Sequence, residues 1–358
     1  MLSESVETVQ LLSSDGEWID HPDYPAAFSA EEVRSLYRDM ALLRAFDSQA
    51  VILQRQGELA LWAPSLGQEA AQIGAGRALA ERDYAFTSYR EHGIARCRGI
   101  GVAQMLGFWR GVGHGGWQPD QYRMANAMVV IGAQALHGVG YAMGMALAGE
   151  DAAALVCFGD GATSQGDVHE AMVWAASFDA PTVFLCQNNQ WAISEPWQRQ
   201  SRIPLARRAA GFGFPGIRVD GNDVLACLAV TRACLERARR GQGPSLIEAY
   251  TYRLGAHTTS DEPSRYRESA EEEYWRSLDP LARVKAYLLA SGGADEEFFD
   301  RTAGEAAALG SAVREVCLSM TPPAPSSFFD HVYAEPHPLL AQERAQFEEW
   351  LAGELQEG

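Results

Sequence analysis

Two apolar runs of strand length, "AALVCF" at 153–158 and "TVFLCQ" at 182–187, are joined by "SQGDVHEAMVWAASF". In the joining segment Val168, Met172, Ala175 and Ala176 recur at helical spacing. Strand, helix, strand in this order is a βαβ unit. A strand that is apolar throughout is buried on both faces, so it needs helices above and below. The alternation continues with "GIRVDG" as strand, "NDVLACLAVTRACLERARRG" as helix and "SLIEAYTYR" as strand. The fold class expected is α/β: a parallel sheet with helices on both faces.

Before this core, Ser29 to Gln56 reads as a long helix. Ser29 and Glu32 form a capping box, and Val33, Leu36, Tyr37, Met40 and Leu43 follow at helical spacing. "PSLGQEAAQIGAGRALA" is a second helix, and "YAFTSYREHG" a short strand running into a polar turn. Residues 135–149 form a helix in which Gly138, Gly140 and Gly144 favour close approach by another helix. After Asp279 the chain is mostly helical, with a turn at "TPPAPSS" before a last helix, "LLAQERAQFEEWLAGEL". The organisation expected is a weakly structured arm (1–28), one main domain (29–330) and a helical tail (331–358), so that helical extensions flank the sheet.

Composition removes several functions. A net charge of −18 and a pI near 4.9 disfavour nucleic acid and anionic membrane as partners. Arg207 and Arg208, or Arg237, Arg239 and Arg240, could dock a phosphate, but solvated helix ends are the plainer reading. Lys285 is the only lysine and lies in an amphipathic run without a glycine-rich loop, which leaves no Schiff-base or P-loop lysine. The six cysteines form no Cys-x-x-Cys and read as buried thiols. No leader or membrane-length apolar run is visible, and a cytoplasmic location is expected.

The ends of the βαβ unit carry the chemistry. Asp160 follows the first strand and Asn189 the second, and parallel strands joined by one crossover end on the same edge, where open α/β sheets bind ligands. Gly159 and Gly161 let the backbone turn and approach an anion, and a helix N-terminus follows. A carboxylate and an amide carbonyl are hard oxygen ligands suited to Mg²⁺, which completes its shell with phosphate oxygens and water. A diphosphate bridged by magnesium is therefore expected. For either residue alone, a capped turn or a strand-end asparagine suffices; the pair at this spacing favours the ligand. A nicotinamide site fits less well, because Ser164 stands where its third glycine belongs and Asn188–Asn189 where its acid belongs. "TSYREHG" is compatible with a surface turn, and a lone His257 after a strand is more often structural than catalytic. His92, His114, His137 and His169 are read as structural.

Gly-Asp-Gly, 26 residues (162–187), then Asn-Asn resembles the thiamine-diphosphate-binding motif. From about residue 30 to 340 the chain resembles the α subunit of the E1 component of 2-oxo acid dehydrogenase complexes. The resemblance is carried by "YREHG" (89–93), "VVIGAQ" (129–134), "NNQWAIS" (188–194), "RVDGND" (218–223) and "YRLGAHTTSDEPSRYR" (252–267). It implies the thiamine-diphosphate-binding fold, with Mg²⁺ held by Asp160, the Asn189 side chain and the Trp191 carbonyl. Gly159 belongs to the motif, and Gly161 and Ala162 would meet the diphosphate through backbone N–H. Tyr89 and Arg90 would lie along the diphosphate, Arg90 as a cationic fork. Val129, Ile131 and Ile193 would line the aminopyrimidine and thiazolium region. His257 would reach the diphosphate beside the reacting centre and assist acyl transfer to lipoamide. Arg253, Asp261, Tyr266 and Arg267 would order the active-site loop through ion pairs.

The resemblance also implies oxidative decarboxylation of a 2-oxo acid and reductive acylation of a lipoyl-bearing E2 partner. The glutamate that activates the cofactor in relatives is absent from these motifs, which points to a separate β subunit in an α₂β₂ assembly. Several positions depart from the pattern. Gln187 replaces an arginine of branched-chain members, so one phosphate contact is expected to be missing. "GVGHGGWQPDQYRMANAM" differs from the usual "GKGG" region. Ala133 replaces a threonine that helps bind a monovalent cation, so no potassium site is expected. Thr258 replaces a phosphorylated serine, so regulation there is not expected. "RVDGND", "AIS" ahead of Pro196, and Ala63 lean towards branched-chain 2-oxo acids, whereas "GQEA" leans towards pyruvate. Branched-chain acids are favoured. An NAD-binding dehydrogenase and a non-catalytic scaffold subunit remain as remoter alternatives.

Overall fold

Six parallel strands make the sheet: β1 (Thr8–Val9), β2 (Tyr84–Phe86), β3 (Ala154–Gly159), β4 (Thr182–Asn188), β5 (Gly216–Asp220) and β6 (Ser245–Tyr250), in the order β1-β5-β6-β4-β3-β2. The computed structural model describes residues 6–113 and 116–357, so His114 and the first five residues of the expected arm lie outside the described residues. Alternation along the strands sorts the side chains to two layers. Leu155 and Cys157 of β3 face one layer with Val183 and Leu185 of β4. Val156 and Phe158 face the other with Phe184 and Cys186. Helices α1 (Ala30–Arg55), α2 (Glu69–Ala78) and, later in the chain, α5 (Val224–Arg239) cover the first layer. Helices α3 (Ala133–Leu147) and α4 (Gly166–Ser177) cover the second. Fully burying a side chain such as Phe158 or Phe184 is worth about 1.5–3 kcal/mol, which is why both faces carry helices.

The expected capping box is present: Ser29 Oγ accepts from the N–H of Glu32 at 3.1 Å, and Glu32 Oε2 accepts from the N–H of Ser29. The glycines of α3 behave differently from expectation. A Cβ on Gly138 would lie 2.4 Å from Val156 Cγ2, so this residue lets α3 press onto a strand rather than onto a helix. Gly140 and Gly144 meet open space. Glycine brings helices together instead in α2, where a Cβ on Gly74 would lie 2.6 Å from Cys227 Cβ on α5 and one on Gly76 2.9 Å from Cys97 Cβ.

The arm is not weakly structured over its described residues. β1 pairs with β5 at the sheet edge, and Leu11 and Leu12 are fully buried. Asp223 Oδ2 accepts the N–H of both leucines at 2.7 Å. An open sheet edge presents unpaired polar groups that a short strand can cover, and two strand residues are too few to leave a periodic signal in sequence. At the other end, α6 (Pro280–Ala290) and α7 (Glu296–Ser319) return to α1, where Tyr37 meets Phe298 and Phe299. The 3₁₀ turn Pro325–Phe329 then packs Phe328 and Phe329 on Phe347 of α8 (Pro338–Glu357). No helix among the described residues is long and apolar enough to cross a membrane.

Candidate active site

The register pairs Gly159 of β3 with Gln187 of β4, and Asn188 of β4 with Tyr250 of β6. The segments leaving these strands therefore emerge at one sheet edge, and a cavity of about 270 Å³ lies there. Asp160, Gly161, Ala162 and Asn189 line it together with Trp191, Ile131, Ile193, Tyr89, Arg90 and His257. Gly159 lies in its wall as well. The crossover geometry argued from sequence is thus present.

Asp160 is 2 % exposed, and its Oδ2 has no partner among the described residues. Burial pushes its carboxyl up to about 7, opposed by backbone N–H groups of Asp160 and Asn189 and by the Arg253 and Arg90 guanidiniums. Asp160 and Asn189 line the same cavity, which brings the two loop tips to one place. A buried carboxylate oxygen without a donor is costly, and a divalent cation would satisfy it. Asn189 Nδ2 donates to Gln68 Oε1 at 3.1 Å, which turns its carbonyl towards the N–H of Trp191 at 3.3 Å. The donor set of carboxylate, amide carbonyl and main-chain carbonyl fits Mg²⁺. The tip of the first loop is a 3₁₀ turn, Asp160–Ser164, set between β3 and α4. A Cβ on Gly161 would lie 2.7 Å from Ala192 Cβ, so only glycine allows the following hairpin to close on it.

That hairpin, Trp191–Ala192 with Glu195–Pro196, is strained. Gln190 has φ +71° and Ile193 φ +58°. A β-branched residue in the left-handed region is an outlier costing on the order of 1–3 kcal/mol, and such outliers gather at functional sites. Arg253 holds it: Nη1 donates to the Trp191 carbonyl and Nη2 to the Ile193 carbonyl, both at 2.9 Å. The Trp191 carbonyl expected to face a metal is therefore already an acceptor, with one lone pair remaining.

Arg90 is also committed within the protein. Nη1 donates to the Pro64 carbonyl at 2.6 Å and Nη2 to the His257 carbonyl at 2.9 Å, with His257 Nδ1 at 3.2 Å. Tyr89 lies edge-on to the His257 ring, centroids 6.2 Å apart. Burial, with Arg90 and Arg253 nearby, lowers His257 to about 3. The loop it begins is not tied by ion pairs among the four expected residues. Tyr266 bridges instead, donating to Asp261 Oδ2 at 2.5 Å and accepting from Arg253 Nη2 at 2.7 Å. Asp261 accepts the N–H of His257 at 2.7 Å. Arg267 donates to the carbonyls of Arg253 and Leu254, and its ion pair is with Glu272 at 2.9 Å. The physical reason is that a phenol bridge and main-chain acceptors satisfy buried guanidiniums without burying further carboxylates.

Val129 is not with the rest: it lines an adjacent second cavity. Ser88, Glu91, Gln68, Gln134 and Gln165 also line the first cavity, without a signal in the sequence that places them there, and Gln187 joins them. Gln187 Nε2 donates to Glu91 Oε1 at 2.7 Å, and Ser88 Oγ donates to Glu91 Oε2 at 2.7 Å. Glu91 is buried, which raises its carboxyl. Among the described residues Gln68 Nε2, Gln134 Oε1 and Gln187 Oε1 are buried without a partner, and these three side chains line the same space. Glu91 sits inside "YREHG" and Gln68 inside "GQEA", but nothing local shows that their side chains turn inward. None of the other described histidines lines the first cavity: His92 stacks on Trp62 at 4.2 Å, His169 Nε2 meets the Thr163 carbonyl at 2.9 Å, and His137 is exposed.

The dehydrogenase E1 component family matches residues 37–315. The α subunit of 3-methyl-2-oxobutanoate dehydrogenase from Mycobacterium tuberculosis is 45 % identical over 353 residues, covering 98 % of this chain and 96 % of that protein. The pyruvate dehydrogenase E1 component α subunit of Acholeplasma laidlawii is 37 % identical over 326 residues, 90 % of this chain and 94 % of that one. Its namesake from Bacillus subtilis is 37 % identical over 292 residues, 81 % and 78 %.

Proposed function

Because the chain belongs to the dehydrogenase E1 component family, as the α subunit of a 2-oxo acid dehydrogenase and so an oxidoreductase, we propose that it oxidatively decarboxylates a branched-chain 2-oxo acid with thiamine diphosphate and Mg²⁺. The observation that carries the cofactor assignment is the unpartnered Asp160 Oδ2 beside Asn189 at the ends of adjacent strands. Asp160, the Asn189 carbonyl and the free lone pair of the Trp191 carbonyl would hold the metal. Gly161 and Ala162 would receive the diphosphate, and Ile131 and Ile193 the organic rings. When bound, thiamine diphosphate supplies the nucleophilic carbon and the electron sink for loss of CO₂.

The chain's own residues then have defined tasks. Arg90 holds the neutral His257 ring through Nδ1 and Asp261 holds its main chain, so that the remaining ring N–H can donate to substrate oxygen. The Arg253 clamp holds the strained hairpin against the diphosphate side. Asp160 and Glu91 are the carboxylates lining the cavity among the described residues, the first committed to the metal and the second to Ser88 and Gln187. The glutamate that activates the cofactor is therefore assigned to a β subunit in an α₂β₂ enzyme. The cavity rim supports this: Ile131 is 43 % and Ile193 55 % exposed, an apolar edge suited to a second chain. The acyl group would pass to a lipoyl-bearing E2, in the cytoplasm. The relative named for 3-methyl-2-oxobutanoate, at 45 % identity against 37 % for the pyruvate enzymes, favours the branched-chain reading. Co-expression with the β subunit and assay with thiamine diphosphate and Mg²⁺ tests it: kcat/KM should be higher for 3-methyl-2-oxobutanoate than for pyruvate. The opposite order would reassign the substrate, and no turnover of either would refute the E1 role.

A further inference from the structure

The loop that carries Asn189 and Trp191 turns through Gln190, which is 5 % exposed and has φ +71°, a conformation uncommon for a residue other than glycine. Such a conformation persists only where the surroundings over-determine it. Every polar atom of Gln190 has a partner. Its Nε2 donates to the Thr251 carbonyl at 2.8 Å, its Oε1 accepts from the Tyr250 hydroxyl at 3.1 Å, and its carbonyl accepts the N–H of Trp197 at 3.0 Å. Its own N–H donates to Asn188 Oδ1 at 3.2 Å and closes a turn at the end of β4.

That last bond depends on which way the Asn188 amide points, since a flipped amide would set its NH₂ against the N–H of Gln190. Glu248 of β6 fixes the direction. Its Oε1 accepts from Asn188 Nδ2 at 2.7 Å, and its Oε2 accepts the N–H of Ala206 at 3.0 Å. An ionised carboxylate only accepts, so the amide nitrogen must face it. Arg218 Nη2 stands 3.6 Å from Glu248 Oε1, and its guanidinium lies 3.8 Å from the centroid of the Tyr250 ring, whose hydroxyl holds Gln190 from the other side. Asn188 and Glu248 are fully buried, and neither lines the cavity. A carboxylate buried this deeply is a weak source of stability; its effect falls on the shape of the loop beside Asp160.

We propose that Glu248 is a positioning residue for the metal site, acting through Asn188 and the strained Gln190 to keep the Asn189 and Trp191 oxygens where an ion can reach them. The inference rests on the reading of the Asp160–Asn189 cavity as the site of Mg²⁺ and thiamine diphosphate. Groups that orient metal ligands set affinity by roughly 10–100-fold. In the αβ enzyme with thiamine diphosphate present, calorimetric titration should show Mg²⁺ bound about tenfold or more weakly after Glu248→Gln. A glutamine there sets donor against donor at Asn188, at Ala206 or, if Asn188 flips, at Gln190. Asn188→Asp should also weaken binding, because two carboxylates then face each other, although negative charge added near a cation would by itself strengthen it. Combining the two substitutions turns the bond round: the amide at 248 donates to the carboxylate at 188, and acceptors remain for Ala206 and Gln190. Affinity should then return to within about threefold of the parent. Variants that lose stability in urea yet bind the ion like the parent overturn the inference, as does tighter binding by Asn188→Asp alone or a combined variant no better than the weaker single one. Should Glu248→Gln not fold, Asn188→Asp and the combined variant decide. A parent enzyme that binds no thiamine diphosphate with Mg²⁺ would instead remove the reading of the cavity, and this inference with it.

Discussion

Nη2 of Arg90 lies 3.2 Å from Nδ1 of His257 and donates to the carbonyl of the same residue at 2.9 Å. A guanidinium has no acceptor, so Nδ1 must accept and the imidazole proton resides on Nε2. Burial and the two arginines lower the ring to about 3, below its ordinary 6.5. As pH falls the unfolded chain takes up this proton first. The stability contributed by the neutral ring is thus present above about 6.5 and lost progressively towards 3. Long-range ¹H–¹⁵N NMR should report an Nε2–H tautomer at neutral pH and no titration of His257 near 6.5; a midpoint there contradicts the geometry. Replacing Arg90 with glutamine should move the midpoint upward.

Asp160 is buried with one oxygen unsatisfied, an arrangement that favours metal binding at the expense of the empty chain. Asp160→Asn should therefore separate the two properties. Magnesium-dependent thiamine diphosphate affinity, measured by calorimetry, should fall about a hundredfold or more. The ligand-free variant should be as stable as the parent, or more stable by roughly 1–3 kcal/mol in urea denaturation. Unchanged affinity removes Asp160 from the metal site.

Tyr266 joins Arg253 to Asp261 through one hydroxyl. Tyr266→Phe deletes both bonds and leaves two charged groups facing without a bridge, a local loss of roughly 1.5–3 kcal/mol. Hydrogen exchange should accelerate at His257 and Asp261, while helices α2 and α5 stay protected. Uniform acceleration across the sheet would mean that the residue serves the whole fold instead.

Asp223 caps α5 through Oδ1 and accepts the N–H groups of Leu11 and Leu12 through Oδ2. Asp223→Ala should cost about 1 kcal/mol for the cap and further free energy for two buried donors left unpaired. The first consequence expected is release of the arm, seen as rapid proteolytic cleavage before residue 29 with the remaining domain intact. An arm that stays resistant would show that β1 pairing alone retains it.

Much of this protein is written in short windows of its sequence. The capping box at Ser29, the apolar strands around Val156 and Phe184, and the helix between them each follow from contacts within a few residues, where propensity and periodicity act. From those, the meeting of Asp160 and Asn189 follows by crossover geometry alone. What the sequence did not reveal lies at long range. Gln187 meets Glu91 across 96 residues, and Leu11 meets Asp223 across 212. Gly74 rather than Gly140 carries a helix crossing, Arg90 is engaged by Pro64 and His257, and Val129 opens onto a second cavity. Local backbone preferences choose the elements and the order in which they alternate. Which side chains face a cavity, and which polar atoms are left without a partner there, is decided only when distant segments compete for the same buried space.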